Sequence, residues 1–443
     1  MRWQDRVGDK LVSAAAAVAK IESRQTVGVG TYTCTPQTLC RALAERARRG
    51  ELERVRIDHA AALFCWTSPD LKRAFELHDN FATAFNRAAI HAGEVEYLPI
   101  SVWQAGITPP HYKADPDFYM VPVSPPDAHG FCSFGPGVWF SNLLVRGAKR
   151  VIAEVHPEFI RTGGDNFVHI DAIDFFVEAE DVADSVQPPG PPPSAEELEA
   201  VDTICNLVAA ELVSDGDTLQ IGIGTVSAAL AKFLGFRNDL GIQTELITSG
   251  IAELVKSRVV TGKYKSLYPG KVVGSALVAL GREELDAIDG NPVFELYDFG
   301  TTDDLRSLIQ QKNFVTVNNA MQVDLTGQVS AESFDHRPFS GVGGQTVFMI
   351  AGAYSEGGRS VSVLPSSSRP GGGAARVTRI VSALGAGTAV TVPRTFVDTV
   401  VTEHGIAELR GKSVRERVGA ILEIAHPEFR EELRAQARTL YRI

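Results

Sequence analysis

Glu245 is the single carboxylate in the run LGIQTELITSG, residues 240–250, whose other members are apolar or neutral. A charged side chain taken out of water needs a partner. Two readings follow: a buried glutamate satisfied by a nearby lysine or backbone group, or a reactive carboxylate at the end of a buried strand. Two glycine-rich turns elsewhere in the chain offer the complementary chemistry. In GIGTVS the glycines are Gly222 and Gly224, and in FSGVGGQ they are Gly341, Gly343 and Gly344. Close-set glycines let a backbone approach a ligand with its N–H groups uncovered, which suits an anion or a developing oxyanion.

Other chemistries find less support. GIGTVS fails as a dinucleotide fingerprint, because Ser227 stands where a third glycine or alanine belongs and Asp239 precedes a strand instead of ending one. No nicotinamide cofactor is expected. The ten histidines show neither H-x-H nor H-x-x-x-H spacing, so no metal site is expected, and no G-x-S-x-G marks a nucleophilic serine. The polar runs GGDNFVHID and EHGIAELRGKS read as caps, core networks or ligands.

The elements that must position these residues alternate. KRVIAEV, FVTVNNAMQVDL, GRSVSVLPS and GTAVTV are β-branched runs, while ELEAVDTICNLVAAEL, TVSAALAKFLG and SVRERVGAILEIA carry helical spacing. SEGGR, residues 355–359, reads as a hairpin turn. Alternating strands and helices predict an α/β fold: two tandem open α/β domains with mainly parallel sheets, ligands binding beyond the strand C-termini, in a cleft between the domains. The chain also repeats itself. VGVGT at 27–31 recurs as IGIGT at 221–225, and DAHGFCS at 127–133 recurs as DLTGQVS at 324–330. The near-equal offsets, 194 and 197, point to an internal duplication. Between the halves lies a proline-rich stretch, followed by Ser194 and Glu197 in a capping-box pattern. The expected domains are residues 1–187 and 198–443, joined by a linker at 188–197.

A net charge of −11 argues against a nucleic-acid surface. The five scattered cysteines read as reduced core thiols, and no apolar run is long enough to span a bilayer. The Ala-rich N-terminal stretch reads as a first helix leading into a strand, not as a signal core, and the protein is expected in the cytoplasm.

Several runs, taken in order, resemble the acetyl-CoA hydrolase/transferase family: LQIGIGT, LGIQTELITSG, VTVNNAMQVDLTGQVSAES, FSGVGGQ, SEGGRSVSVLPSSS and VTEHGIAELRGKS, with DFYMVPVSPPDAHGFCSFG in the first half. The resemblance implies a CoA-transferase with a glutamate nucleophile, Glu245, working through an acyl-glutamyl anhydride and a glutamyl-CoA thioester. Coenzyme A would enter as the acyl-CoA substrate and a small carboxylic acid as the other partner. Acyl-CoA hydrolysis by the same glutamate, and non-catalytic acyl-CoA binding on this fold, are the alternatives. The resemblance further implies backbone donors at Gly222, Ile223, Gly224, Gly343 and Gly344. It implies active-site polar groups at Asn318, Gln345 and Glu403, and CoA contacts at Gly357, Gly358 and Arg359. A homo-oligomer, dimer or tetramer, is expected by the same analogy.

The chain departs from the family pattern at four positions. Gln243 replaces the usual histidine two residues before the glutamate, Val347 and Ile350 replace a common aspartate and arginine, and His404 replaces a frequent tyrosine. These changes predict an altered, more apolar acyl pocket or an altered supporting shell.

Overall fold

A computed structural model describes residues 2–61, 63–107, 115–180, 194–369, 373 and 375–443. The proline-rich stretch of the expected linker therefore lies outside the described residues. The chain divides into two compact units.

The first unit is built on seven strands: β1 (Thr26–Val29), β2 (Val55–His59), β3 (Phe75–Asp79), β4 (Val95–Tyr97), β5 (Phe118–Val123), β6 (Arg150–Val155) and β7 (Phe175–Glu178). Their order is β7-β6-β5-β1-β2-β3-β4, and every neighbouring pair is parallel. Parallel strands need crossovers, and helix α1 (Gln37–Arg48) makes the first. Leu39, Cys40, Leu43, Ala44 and Ala47 share its buried face, while Arg41, Glu45 and Arg48 face water. That stripe packs on Val27, Ile57, Met120 and Ile152 of the sheet, all fully buried.

The second unit holds β8 (Thr218–Ile221), β9 (Gly241–Gln243), β10 (Val272–Gly274), β11 (Phe314–Asn319), β12 (Arg359–Val363), β13 (Thr399–Thr402) and β14 (Gly405–Glu408). Here the order is β14-β13-β12-β11-β8-β9-β10. All pairs are parallel except the last hairpin, β13–β14. Helix α2 (Ala195–Leu207) opens on the expected capping box: Ser194 N–H donates to Glu197 Oε2 at 2.8 Å and Glu197 N–H to Ser194 Oγ at 3.2 Å. Helix α3 (Gln345–Tyr354) follows the second glycine cluster, and α4 (Val414–Ile424) and α5 (Arg430–Tyr441) close the unit. Met349, Val400, Val418, Ile421 and Leu433 share one core there.

Setting aside edge strands β4 and β14, the two sheets have the same order of neighbours. The duplication read from two short motifs thus extends to the topology. It extends to the turns as well. Asp127 accepts the N–H groups of His129 and Phe131, and Asp324 those of Thr326 and Gln328, with Gly130 and Gly327 at positive φ three residues after each aspartate.

By compactness the units are not contiguous in sequence: residues 274–302 and 338–343 group with the first half. Segment 338–343 does so because its carbonyls have partners there, Arg87 donating to Phe339 O at 2.9 Å and Tyr97 to Ser340 O at 3.2 Å. SEGGR is not a hairpin turn but the link from α3 to β12, since the apolar run before it is helical. GTAVTV forms no strand beyond one bridge, Val392 to Val329. Four cysteines are buried as expected, but Cys65 is exposed. Among the described residues no helix is long and apolar enough to cross a membrane.

Candidate active site

Glu245 occupies the bend directly after β9, at the C-terminal edge of the second sheet. Three elements deliver its surroundings. Thr244 pins the bend to β8, its Oγ1 donating to Ile221 O at 3.1 Å. Gly344 caps helix α3 and gives its N–H to the Glu245 carboxylate. Asp303, fully buried ahead of the short helix Leu305–Leu308, makes a side-chain hydrogen bond with the same carboxyl.

Gly344 must be glycine for a steric reason. A Cβ there would overlap Glu245 Oε2 and Asp303 Oδ2. The carboxylate therefore lies against bare backbone at the N-terminal end of a ten-residue helix, where the dipole favours negative charge. Burial works the other way and is the larger influence. It pushes the Glu245 carboxyl up to about 7, against the lowering effects of Asp303 and the Gly344 N–H.

The neighbouring Gln243 is 1% exposed and accepts from Lys265 Nζ at 3.2 Å. The same ammonium reaches the carbonyls of Ile242 and Lys271 at 2.6 and 2.8 Å. The lysine of the structural reading is thus present, bonded to the residue two before Glu245.

The first glycine turn follows β8. Gly222 packs so closely on Asn318 that a Cβ would meet its Oδ1 at 2.6 Å. Asn318 is locked in a reciprocal amide pair with Gln220, at 2.8 and 3.1 Å, both side chains buried. Asn319 donates to Ile223 O at 2.9 Å and to Ser227 Oγ, and Gln345 donates to Asn319 O at 3.1 Å. The serine that broke the dinucleotide fingerprint thus belongs to this network. Gly222 itself is not a free donor, because its N–H goes to Val317 O at 2.9 Å. Ile223 and Gly224 remain as the backbone donors of this turn. Gly343 falls with the first unit by compactness and Gly344 with the second.

Glu403 and His404 form the two-residue turn between β13 and β14, also at the C-terminal edge. Glu403 accepts from the N–H and Oγ of Ser366, at 2.8 and 2.5 Å. With Arg369, Arg376 and His426 the pair lines a cavity of about 240 Å³. Val347 is 5% exposed on the buried face of α3, and Ile350 is partly buried on the same helix.

The three residues expected at CoA lie at the other end of the second sheet. Arg359 starts β12 and pairs with Val315 at the N-terminal end of the sheet, opposite the edge that carries Asn318 and the first glycine turn. Its guanidinium holds Asp217 and donates to Leu212 O at 2.7 Å and Gly357 O at 3.2 Å. Gly357 and Gly358 shape the turn into that strand. These three thus lie at the end of the sheet opposite Asn318, with Arg359 bonded within the fold. Asp303 and Gln220 are the converse: both touch the site and neither stood out in the sequence.

Comparison with known proteins agrees with the topology. The acetyl-CoA hydrolase/transferase N-terminal domain model matches residues 2–187, and the C-terminal domain model matches residues 281–437. The chain belongs to the acetyl-CoA hydrolase/transferase family. It is 36% identical over 436 residues to the 4-hydroxybutyrate coenzyme A transferase of Clostridium kluyveri, covering 98% of both chains. It is 32% identical over 405 residues to the succinyl-CoA:acetate/propanoyl-CoA:succinate CoA transferase of Fasciola hepatica, covering 91% of this chain and 82% of that one. The crystal structure of RipA from Yersinia pestis superposes with a TM-score of 0.90 at 30% identity, covering 100% of each chain.

Proposed function

We propose that this protein is a CoA-transferase that moves coenzyme A between an acyl-CoA and a small carboxylic acid, with Glu245 as nucleophile. Family membership and the named relatives support the reaction class. The observation that carries the residue assignment is the Glu245 carboxyl itself, half-buried at a sheet's C-terminal edge against the bare N–H of Gly344.

The chemistry needs a carboxylate held where its charge can be withdrawn. An oxygen of ionised Glu245 attacks the thioester carbonyl carbon; the C–S bond breaks and CoA leaves as thiolate, leaving an acyl-glutamyl anhydride. The thiolate then attacks the glutamyl carbonyl, expels the acyl group as a free carboxylate and leaves a glutamyl-CoA thioester. An acceptor carboxylate attacks that thioester, and the reverse order of steps releases the new acyl-CoA. The thioester bond is conserved overall, so the reaction needs no external energy source. Each attack builds an oxyanion, for which the N–H groups of Ile223 and Gly224 are the donors in this reading. Removing one such donor typically costs about 3 kcal/mol of barrier. Asn318, fixed by Gln220, lies against the same turn and orients the acyl group. Val347 and Ile350 make the shell of α3 more apolar than the family pattern. Cytoplasmic residence and a homo-oligomeric state accompany this reading.

The test is an exchange assay with a panel of acyl-CoAs and isotopically labelled carboxylates. A new labelled acyl-CoA, formed by the native protein and absent with Glu245→Gln, is the expected result. CoA release at a rate indifferent to the acceptor, with no new thioester, would assign hydrolysis instead. Activity rises with pH through the raised carboxyl value and is lost as Glu245 protonates below about 7.

A further inference from the structure

Asp303 sits in a polar stretch, DFGTTDD, that reads as an ordinary loop. Its neighbour Asp304 behaves as loop carboxylates do, meeting Arg306 Nε at 2.9 Å and Ser307 Oγ at 2.8 Å. Asp303 is different. It is fully buried, it is hydrogen-bonded to the Glu245 carboxyl, and the two share the space over Gly344 that a side chain would fill. A hydrogen bond between two carboxyl groups requires a proton, since each is acceptor-only when ionised. Two carboxylates in contact away from water cannot both stay charged.

We infer that Asp303 is a positioning residue that holds this shared proton and donates it to Glu245, keeping Glu245 as the anion of the pair. The inference rests on Glu245 being the nucleophile proposed above, but the proton's location does not. The asymmetry of burial sets the direction: Asp303 is fully buried, whereas Glu245 is partly exposed and also receives the Gly344 N–H. The neutral partner belongs at the drier place and the anion at the place with two donors. Of the charged groups beside β9, Lys265 has its ammonium bonded to Ile242 O, Lys271 O and Gln243 Oε1, and Asp239 meets Lys263 and Thr261. The arrangement orients one oxygen of Glu245 by the Asp303 hydrogen bond and leaves the other for attack. Asp303 keeps its proton throughout the cycle, so no step consumes it.

The sign of one shift tests this. The pH dependence of glutamyl-CoA formation in a single turnover is measured for the native protein, Asp303→Ala and Asp303→Asn, with thermal unfolding to confirm folding. A proton-holding Asp303 stabilises the Glu245 anion, so its loss in the alanine variant moves the acid limb to higher pH, by roughly one unit or more. The asparagine variant retains a donor, and its limb stays near the native position. An ionised Asp303 would repel the anion instead. In that case both substitutions move the limb to lower pH, and the inference falls. An unmoved limb in the alanine variant with a lower rate at every pH makes Asp303 merely structural and also overturns it. A second readout needs no turnover. Infrared spectra of the native protein at pH 9, where Glu245 is ionised, are expected to show a protonated buried carboxyl band that disappears in Asp303→Asn. Its absence from the native protein overturns the inference, while its presence without any CoA adduct would confine the failure to the proposed reaction.

Discussion

Asp58 in the first unit and Glu245 in the second stand at corresponding places of two separate sheets, Asp58 inside β2 and Glu245 in the bend just past β9. In the first unit Gly28 of β1 pairs with Asp58 of β2. Counting forward from the Leu219–Ile242 pair in the second unit sets Gly222, the counterpart of Gly28, against Glu245. The residues two before them differ. Arg56 donates to Asp58 at 2.6 Å, whereas Gln243 is neutral and is itself held by Lys265. One copy thus neutralises its carboxylate with an adjacent guanidinium. The other buries it against a second carboxyl and a helix N-terminus, and its proton affinity rises. The duplication supplied the position twice, and the local partners differ; in the proposed function only the second copy reacts.

The sharpest break of this comparison is to neutralise each carboxylate in turn. Glu245→Gln is expected to lower acyl-CoA exchange by about 10³-fold or more, and Asp58→Asn by less than about threefold, in initial-rate assays. Equal losses would remove the distinction between the copies. Next in size is Gly344→Ala, whose methyl group would overlap both carboxyls; a fall of about 10²-fold in kcat is expected. An alanine variant with native kcat would mean that the close approach is not needed.

Arg359→Met separates site from scaffold. It leaves Asp217, 5% exposed, without its guanidinium, so stability drops by about 3 kcal/mol in denaturant unfolding. KM for acyl-CoA is expected to stay within about twofold; a large rise would return Arg359 to the CoA site. The smallest effect is on stability. The fold raises the Glu245 carboxyl from its ordinary value to about 7, so stability falls as pH rises from that ordinary value to about 7 and the loss is complete above it. Glu245→Gln is therefore expected to be more stable than the native protein at pH 8, by on the order of 2 kcal/mol. The two should unfold alike at pH 4, and a constant difference across that range would contradict the raised value.

Much of this was legible in the residues. Glu245 stood out because its neighbours are apolar, and the strands β6, β11 and β12 because β-branched runs have few other uses. The repeat was visible in five- and seven-residue motifs because a G-x-G turn and an Asp-anchored turn each tolerate little change. What failed depended on tertiary partners. SEGGR looks like a hairpin until the preceding run is known to be helical. Arg359 looks like a ligand contact beside two glycines until Asp217, 142 residues away in sequence, is found against it. Asp303 carried no signal, since a polar loop residue becomes special only when folding removes its water. Segment 338–343 joins the first unit through carbonyl hydrogen bonds that no side-chain pattern announces.

The central claim is that Glu245 carries the transferred group. Incubating the native protein with acyl-CoA, trapping, and mass analysis of its peptides tests it most directly. A CoA-sized addition on the peptide containing Glu245, absent from Glu245→Gln, is the result predicted here. Exchange activity that proceeds with the adduct on another residue, or that survives Glu245→Gln, would contradict it.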